Sequence, residues 1–130
     1  MCLFTKQKEP LIAQEDIKCF KILREESGQW ITPYRDYPIK FNIELTSEDN
    51  EKDTLLKVFG FYQVDKGYFH SCNSKESAIK YMQDIKITYT RRKYKCPPLT
   101  AFKAIIPKGS KYYIGAGEDL CSNKLIIINE

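Results

Sequence analysis

The fold class is set by residues 74–83, which read SKESAIKYMQ. Serine accepts hydrogen bonds from the free N–H groups at the start of a helix, so Ser74 is well placed to cap one. Glu76 and Ser77 follow in the first turn, and the apolar residues at positions 78, 79 and 82 recur with the spacing of one helix face. These features predict a helix over Lys75–Gln83.

The segments around this helix have the composition of β-strands. Runs of β-branched and aromatic residues, or of alternating apolar and polar residues, lie on both sides of it. They span residues 10–13, 17–23, 56–64, 68–71, 99–107, 111–114 and 125–128, the first being an edge strand because it begins with proline. The proline-containing segment 27–38 is expected to be an ordered loop. The sequence therefore predicts an α+β fold, a mainly antiparallel sheet with one or two packed helices.

Length and charge narrow the class of protein further. The chain has 130 residues, 42% apolar and 29% charged, which suits a single domain over residues 1–130. A net charge of +4 is too small for a nucleic-acid coat protein or a polybasic membrane anchor. There is no run of eighteen apolar residues and no apolar leader, so we expect a cytoplasmic protein without membrane contact.

The cysteines suggest reduced thiols. They are five in number, at positions 2, 19, 72, 96 and 121, and none forms a C-x-x-C pair. On a strand, His70 and Cys72 would share a face, as a histidine base and a cysteine nucleophile must. Because spacing reveals neither an orienting carboxylate nor an oxyanion donor, we interpret Cys72 as a packed thiol beside a hydrogen-bonded imidazole.

No metal or cofactor is expected. His70, Cys72, Cys96 and Cys121 are suitable zinc ligands by type, but they lack the close pairs of structural zinc sites. The glycines at positions 109, 115 and 117 match neither a phosphate-binding loop nor a dinucleotide fingerprint, so we interpret them as turn residues.

Residues 91–95, RRKYK, place four cations around one aromatic ring. Cations and aromatic rings together can follow a phosphate backbone and stack on bases. The same composition is usual for a solvated loop between a helix and a strand, which is the interpretation we adopt. Nucleic acid is therefore not an expected partner.

Three stretches carry a family resemblance: GYFHSCNSKESA at 67–78, IPKGSKYYIG at 106–115 and SNKLII at 122–127. Together with the opening strand, they resemble a domain of unknown function in small uncharacterised proteins of gut bacteria and their phages. In that family a strand ending in His-Ser precedes a capped helix, and a hairpin precedes the final strand. The resemblance covers about half of the chain and implies a shared fold without an assigned activity.

A more distant resemblance is to mono-ADP-ribosyltransferases. It is carried by a strand, a His-Ser strand end and a late acidic loop before the closing strand. It implies that Arg24, His70 with Ser71, and Glu118 are the counterparts of that family's site, with NAD bound between His70 and the Glu118 loop. The chain departs from the family pattern because it has no S-T-S and no E-x-E. Without that function, the Ser71 hydroxyl would simply satisfy backbone groups near the helix cap.

Two functions are therefore considered. The first is a non-enzymatic accessory domain of a phage or mobile element that binds a protein or a small anionic ligand through a Tyr- and Lys-rich face. The second is an NAD-binding enzyme of the ADP-ribosyl-transfer type. The residues expected to bind the ligand are Tyr34, Arg35, His70, Ser71, Lys111 and Tyr113. The sequence leaves the identity of the ligand and the oligomeric state open.

Overall fold

A computed structural model describes most of the chain. The described residues are 3–7, 9–33, 39–47, 55–58, 61–64, 68–115, 117 and 119–130. Within them, no helix has the length and hydrophobicity needed to cross a lipid bilayer. The expected α+β class with a mainly antiparallel arrangement is confirmed, with a single helix in the described part of the chain.

Two long strands and ten strands of two to four residues surround the helix in the described part of the chain. In chain order, these elements are β1 (Leu3–Thr5), β2 (Leu11–Ile12), β3 (Ile17–Glu26), β4 (Gln29–Ile31), β5 (Glu44–Thr46), β6 (Leu55–Val58), β7 (Phe61–Val64), β8 (Phe69–Ser71), α1 (Lys75–Arg91), β9 (Leu99–Ile106), β10 (Lys111–Ile114), β11 (Leu120–Ser122) and β12 (Lys124–Ile127). The predicted strands around residues 10–13, 17–23, 68–71, 99–107, 111–114 and 125–128 are all present. The predicted strand over 56–64 is instead the antiparallel pair β6 and β7.

The strands form three antiparallel sheets. The largest has the order β4-β3-β9-β12-β5, the second β2-β10-β11-β8, and the third β1-β7-β6. As expected from its proline, β2 is an edge strand. The first two sheets meet where Phe20 and Cys72 exchange two backbone hydrogen bonds of 2.8 Å. This bridge fixes the end of β8, and therefore the start of α1, against the middle of β3.

Side-chain alternation along β3 separates two cores. Cys19 and Leu23 face a core shared with β8, β9, β11 and β12. Ile22, on the opposite face, packs with Cys72 and with Ala78 and further apolar residues of α1. A long strand buried on both faces is the reason that β3 and β9 lie at the centre of the fold.

The helix begins where the sequence predicted and ends later. Ser74 accepts a hydrogen bond from the Ser77 N–H at 3.1 Å, and the Ser77 hydroxyl in turn accepts from the Ser74 N–H at 3.3 Å. The predicted end at Gln83 is wrong, because α1 continues to Arg91. Ile85 is fully buried in the second core, so tertiary packing stabilises the additional two turns.

The loop expected over residues 27–38 is in part a β-hairpin. Ser27 and Gly28 have φ angles of 53° and 77°, and Glu26 pairs with Gln29. Positive φ at both central residues defines the tight turn whose twist matches two antiparallel strands. Trp30 lies on the returning strand and packs edge to face on Phe102, with ring centroids 5.0 Å apart. Residues 34–38 of the expected loop lie outside the described residues.

Candidate functional site

The described residues of the expected binding face lie in one sheet. His70 and Ser71 belong to β8, whereas Lys111 and Tyr113 belong to β10. Cys121 of β11 pairs with Tyr113 on one side and with His70 on the other, so these three residues form one row across the sheet. The expected residues Tyr34 and Arg35 lie outside the described part of the chain.

This row is buried and does not form an open face. Tyr113 and Ser71 are each 1% exposed, and the His70 side chain is 10% exposed. The Tyr113 ring packs on Tyr68 with a centroid separation of 5.7 Å. Lys111 is partly exposed, and its N–H donates to the Asn123 side chain at 2.9 Å. The register therefore brings the expected residues into one sheet, but it directs most of their side chains inward.

His70 is held by three contacts. Its Nε2 lies 3.2 Å from Oδ2 of Asp119, and its ring packs on Tyr81 of α1 with centroids 4.8 Å apart. The buried Lys21 ammonium donates to the His70 carbonyl oxygen. Burial lowers the pKa of His70, and the hydrogen bond to Asp119 only partly opposes that effect. The imidazole is therefore neutral near pH 7 and is fixed within the fold.

The thiols near His70 are poor nucleophiles. Burial raises the pKa of Cys72 to about 12, and the Asp119 carboxylate contributes to the same shift. Burial also raises the pKa of Cys19 to about 11, with the Ser71 hydroxyl partly offsetting it. Since the thiolate is the reactive form, these values support interpreting both residues as packed thiols. Among the described residues, no group of three or more His, Cys, Asp or Glu side chains could hold a metal ion.

The residues implied by the ADP-ribosyltransferase resemblance are only partly brought together. His70 contacts Asp119, the residue after Glu118, but Glu118 itself lies outside the described residues. Ser71 is buried, and strand alternation directs it away from His70. Arg24 donates from Nη1 to the Pro33 carbonyl oxygen at 2.7 Å and to the Tyr89 hydroxyl at 3.4 Å. The Arg24 guanidinium is therefore occupied by contacts within the fold.

An open groove lies elsewhere, between the second half of α1 and the segment that leads to β9. Its volume is about 680 Å³, and Lys86, Lys95, Cys96, Pro97, Pro98 and Leu99 line it. Both lysines are exposed, whereas Cys96, Pro97 and Leu99 are half-buried. We call these six residues the basic groove. They combine an apolar floor with two cations, the composition expected of a site for a ligand that is both apolar and anionic.

The stretch of sequence that contains the six residues of the basic groove is rich in cations. Residues 85–117 contain eight Lys or Arg and no Asp or Glu. Because the whole chain carries +4, the rest of it sums to −4. Arg91, Arg92 and Lys93 are exposed immediately beside the groove residue Lys95. Five of the eight cations therefore lie in or next to the groove, whereas Lys103, Lys108 and Lys111 lie further along the chain, within or beyond β9. The exposed Glu25 also lies beside the groove, because its N–H donates to the Pro98 carbonyl oxygen at 2.9 Å.

Backbone hydrogen bonds close the C-terminal end of α1. The N–H groups of Arg92 and Lys93 donate to the carbonyl oxygens of Thr88 and Thr90, at 3.2 and 3.0 Å. The Tyr94 N–H donates to the Tyr89 carbonyl oxygen at 3.0 Å. These bonds satisfy carbonyl groups that would otherwise be free at a helix C-terminus. The chain turns away from the helix axis at Lys93, whose φ of 58° is in the left-handed region that favours glycine.

The cation cluster found in the sequence contains one of the six residues of the basic groove, Lys95. The interpretation of residues 91–95 as a solvated loop is largely confirmed: all five are exposed, Arg91 ends α1, Arg92 is its cap, and residues 93–95 lie between the helix and β9. Lys86 and residues 96–99 were missed. The available signal was the helical spacing of Ala78, Ile85 and Tyr89, which continues the face begun at Ser74 and places Lys86 on the same helix.

No protein-family model, curated protein or solved structure matches the chain.

Proposed function

We propose that the chain is a non-catalytic module that binds an anionic partner in the basic groove. The observation that carries this proposal is the groove itself. Lys86 and Lys95 line a space of about 680 Å³ together with half-buried apolar residues, and three further exposed cations continue from it. The function is that of the accessory domain expected from the sequence, but with a different binding surface.

Both parts of the groove are needed for useful affinity. A single exposed ion pair contributes only about 0 to 1 kcal/mol, because water and salt screen it. Several cations acting together, with apolar surface buried against Cys96 and Leu99, provide a stronger and more selective attraction. The exposed cations at residues 91–95 also attract an anionic partner toward the groove.

We further propose a cytoplasmic location. The four described cysteines, Cys19, Cys72, Cys96 and Cys121, are free thiols, which fits a reducing compartment. The resemblance to small proteins of gut bacteria and their phages supports an accessory role in a phage or mobile element.

Chromatography on immobilised heparin, a generic polyanion, tests the proposed function. The double variant Lys86→Glu/Lys95→Glu should elute at clearly lower salt than the wild type. The control is Lys18→Glu/Lys108→Glu, which changes the same charge at exposed positions near the other end of β9. Lys18 pairs with Ile105, six residues along β3 from the Arg24–Leu99 pair, a distance of about 20 Å. Equal shifts for the two double variants, or no retention of the wild type, would overturn the proposal.

ADP-ribosyl transfer is a second proposal, supported by one contact. The 3.2 Å approach of His70 to Asp119 brings together the two segments between which that resemblance implies bound NAD, so NAD would have to displace this contact. The burial of Ser71 and the internal contacts of Arg24 make it the weaker of the two. The test is to incubate the protein with NAD and to measure released nicotinamide. Sustained release that His70→Ala abolishes would support ADP-ribosyl transfer, and no release would contradict it.

A further inference from the structure

We propose that the anionic partner of the basic groove is single-stranded nucleic acid, with a base stacked on Tyr94 and phosphates bound by the surrounding cations. This deepens the proposed function and rests on it. The sequence alone favoured a solvated loop at this position. The structure has Tyr94 in such an exposed loop, with its backbone hydrogen-bonded to the end of α1 and the next residue, Lys95, lining the groove.

Tyr94 is exposed although its backbone is ordered by hydrogen bonding. The residue is 69% exposed, the highest value among the large hydrophobic residues whose exposure the structure describes. Its N–H donates to the Tyr89 carbonyl oxygen at 3.0 Å, which ties the residue to the end of α1. A tyrosine normally contributes to stability by burying its ring. Since this ring contributes little in that way, it is free to stack on a ligand.

The residues on both sides of Tyr94 supply charges for phosphate. Arg91, Arg92 and Lys93 precede it and Lys95 follows, all of them exposed. Guanidinium groups bind phosphate oxygens with two parallel hydrogen bonds and also stack on flat rings. Lys93 adopts the left-handed conformation that glycine would adopt with less strain. A cationic side chain is thus present where backbone geometry alone would favour glycine.

The ring decides between nucleic acid and an acidic peptide. Carboxylate groups of a peptide would pair with the lysines, but they would have no use for an exposed aromatic face. Every nucleobase has two flat faces, and stacking on aromatic side chains is how proteins bind single strands without reading sequence. In a duplex those faces are covered by neighbouring base pairs, so only a single strand can use Tyr94 and the cations together.

The number of cations predicts the strength of the salt dependence. For single strands, the logarithm of the binding constant falls with the logarithm of salt concentration by about 0.7 for each phosphate neutralised. Replacing Lys86 and Lys95 by glutamine should therefore reduce this slope by about 1.4. Replacing Tyr94 should weaken binding and leave the slope unchanged, because stacking releases no counterions.

The test is fluorescence anisotropy with three fluorescein-labelled probes: dT10, a ten-base-pair duplex and a peptide of ten glutamates. We expect dT10 to bind more tightly than either of the others. Tyr94→Ala should weaken dT10 binding by at least about fivefold, and Tyr94→Phe should restore it. Lys86→Gln/Lys95→Gln should reduce the salt slope, whereas the control Lys18→Gln/Lys108→Gln should not. All exchanged positions are exposed, so circular dichroism should report an unchanged fold.

Each other outcome overturns a defined part of the inference. Wild-type affinity of Tyr94→Ala for dT10 would exclude stacking, and equal affinity for the duplex would exclude single-strand selectivity. Binding of the glutamate peptide but not of dT10, with the same dependence on Lys86 and Lys95, would overturn the nucleic-acid assignment and leave the proposed function in place. If the wild-type protein bound neither these probes nor heparin, both the nucleic-acid assignment and the proposed function would be overturned.

Discussion

Nε2 of His70 lies 3.2 Å from Oδ2 of Asp119, and this contact joins β8 to the residue before β11. The His70 side chain is 10% exposed and that of Asp119 is 27% exposed, so the imidazole is the more buried of the two groups. Burial lowers the pKa of His70, and Asp119 opposes that shift. The histidine is therefore a group whose protonation weakens the fold.

We predict that stability falls as the pH is lowered from about 6.5 through the depressed pKa of His70. In this window the unfolded chain, with a histidine pKa of about 6.5, binds more protons than the folded protein, so the free energy of unfolding rises with pH. Urea denaturation at several pH values between 8 and 5 measures the loss. The variant His70→Gln should lose less stability over the same range, because glutamine does not titrate.

Asp119→Asn provides the complementary check. Removing the carboxylate removes the group that raises the pKa of His70, so the folded pKa should fall further and the loss of stability should extend to lower pH. If wild type and His70→Gln respond identically to pH, the histidine does not have the buried, neutral role described above.

The cysteines should differ sharply in their reactivity in the folded protein. Cys19, Cys72 and Cys121 are buried, whereas Cys96 is partly exposed in the basic groove. Among the four cysteines that the structure describes, iodoacetamide at pH 7.5 should therefore modify Cys96 first, and the buried thiols only through opening of the fold. A time course of peptide masses measures the four rates, and urea should make them similar. Reaction of Cys72 as fast as that of Cys96 would revive the hypothesis of a Cys–His pair.

The start of the helix could be predicted from the sequence and its end could not. The cap depends on Ser74 and Ser77, which are close in sequence, so the signal is local. The last turns contain β-branched residues from Ile85 to Thr90, which are weak helix formers in isolation. Their helical state depends on packing against β3 and β9, and a local pattern does not contain that information.

The basic groove could not be predicted from the sequence for the same reason. The basic groove exists because Lys86 and the segment 95–99 lie on the two sides of a helix end. A helix that ended at Gln83 would not include Lys86, so the predicted helix does not bring Lys86 next to residues 95–99.

The three-residue strands Glu44–Thr46 and Leu120–Ser122 were also missed, since they form by pairing with distant strands and have little periodicity of their own. In contrast, β3 and β9 are long enough for their apolar patterns to predict them.

Two isoleucines near the end of α1 provide a direct check on its length. Ile85 is fully buried, whereas Ile87, two residues further along, is 49% exposed. Ile85→Ala should lower the free energy of unfolding by about 2 to 5 kcal/mol, through lost burial and a cavity in the second core. Ile87→Ala should change it by less than about 0.5 kcal/mol. Comparable effects of the two substitutions, measured by urea denaturation, would contradict a helix that continues to Arg91.

Lys93→Gly should increase stability while weakening binding. At a φ of 58° a side chain costs roughly 1 to 2 kcal/mol of strain, which glycine would relieve. Glycine also makes the unfolded chain more flexible, and this offsets about 0.5 to 1 kcal/mol of the relief. The net stabilisation should be a few tenths to about 1 kcal/mol. At the same time one cation beside Tyr94 is lost, so the salt slope of dT10 binding should fall by about 0.7.

Ser27→Gly is the matched control for this substitution. Ser27 is also exposed and has a φ of 53°, but it lies in the turn between β3 and β4 and carries no charge. It should gain stability for the same reason and leave dT10 binding unchanged. If both variants gain stability and only Lys93→Gly loses affinity, the strained lysine is retained for its charge at the ligand surface. Unchanged dT10 affinity of Lys93→Gly would mean that its side chain does not contact the partner.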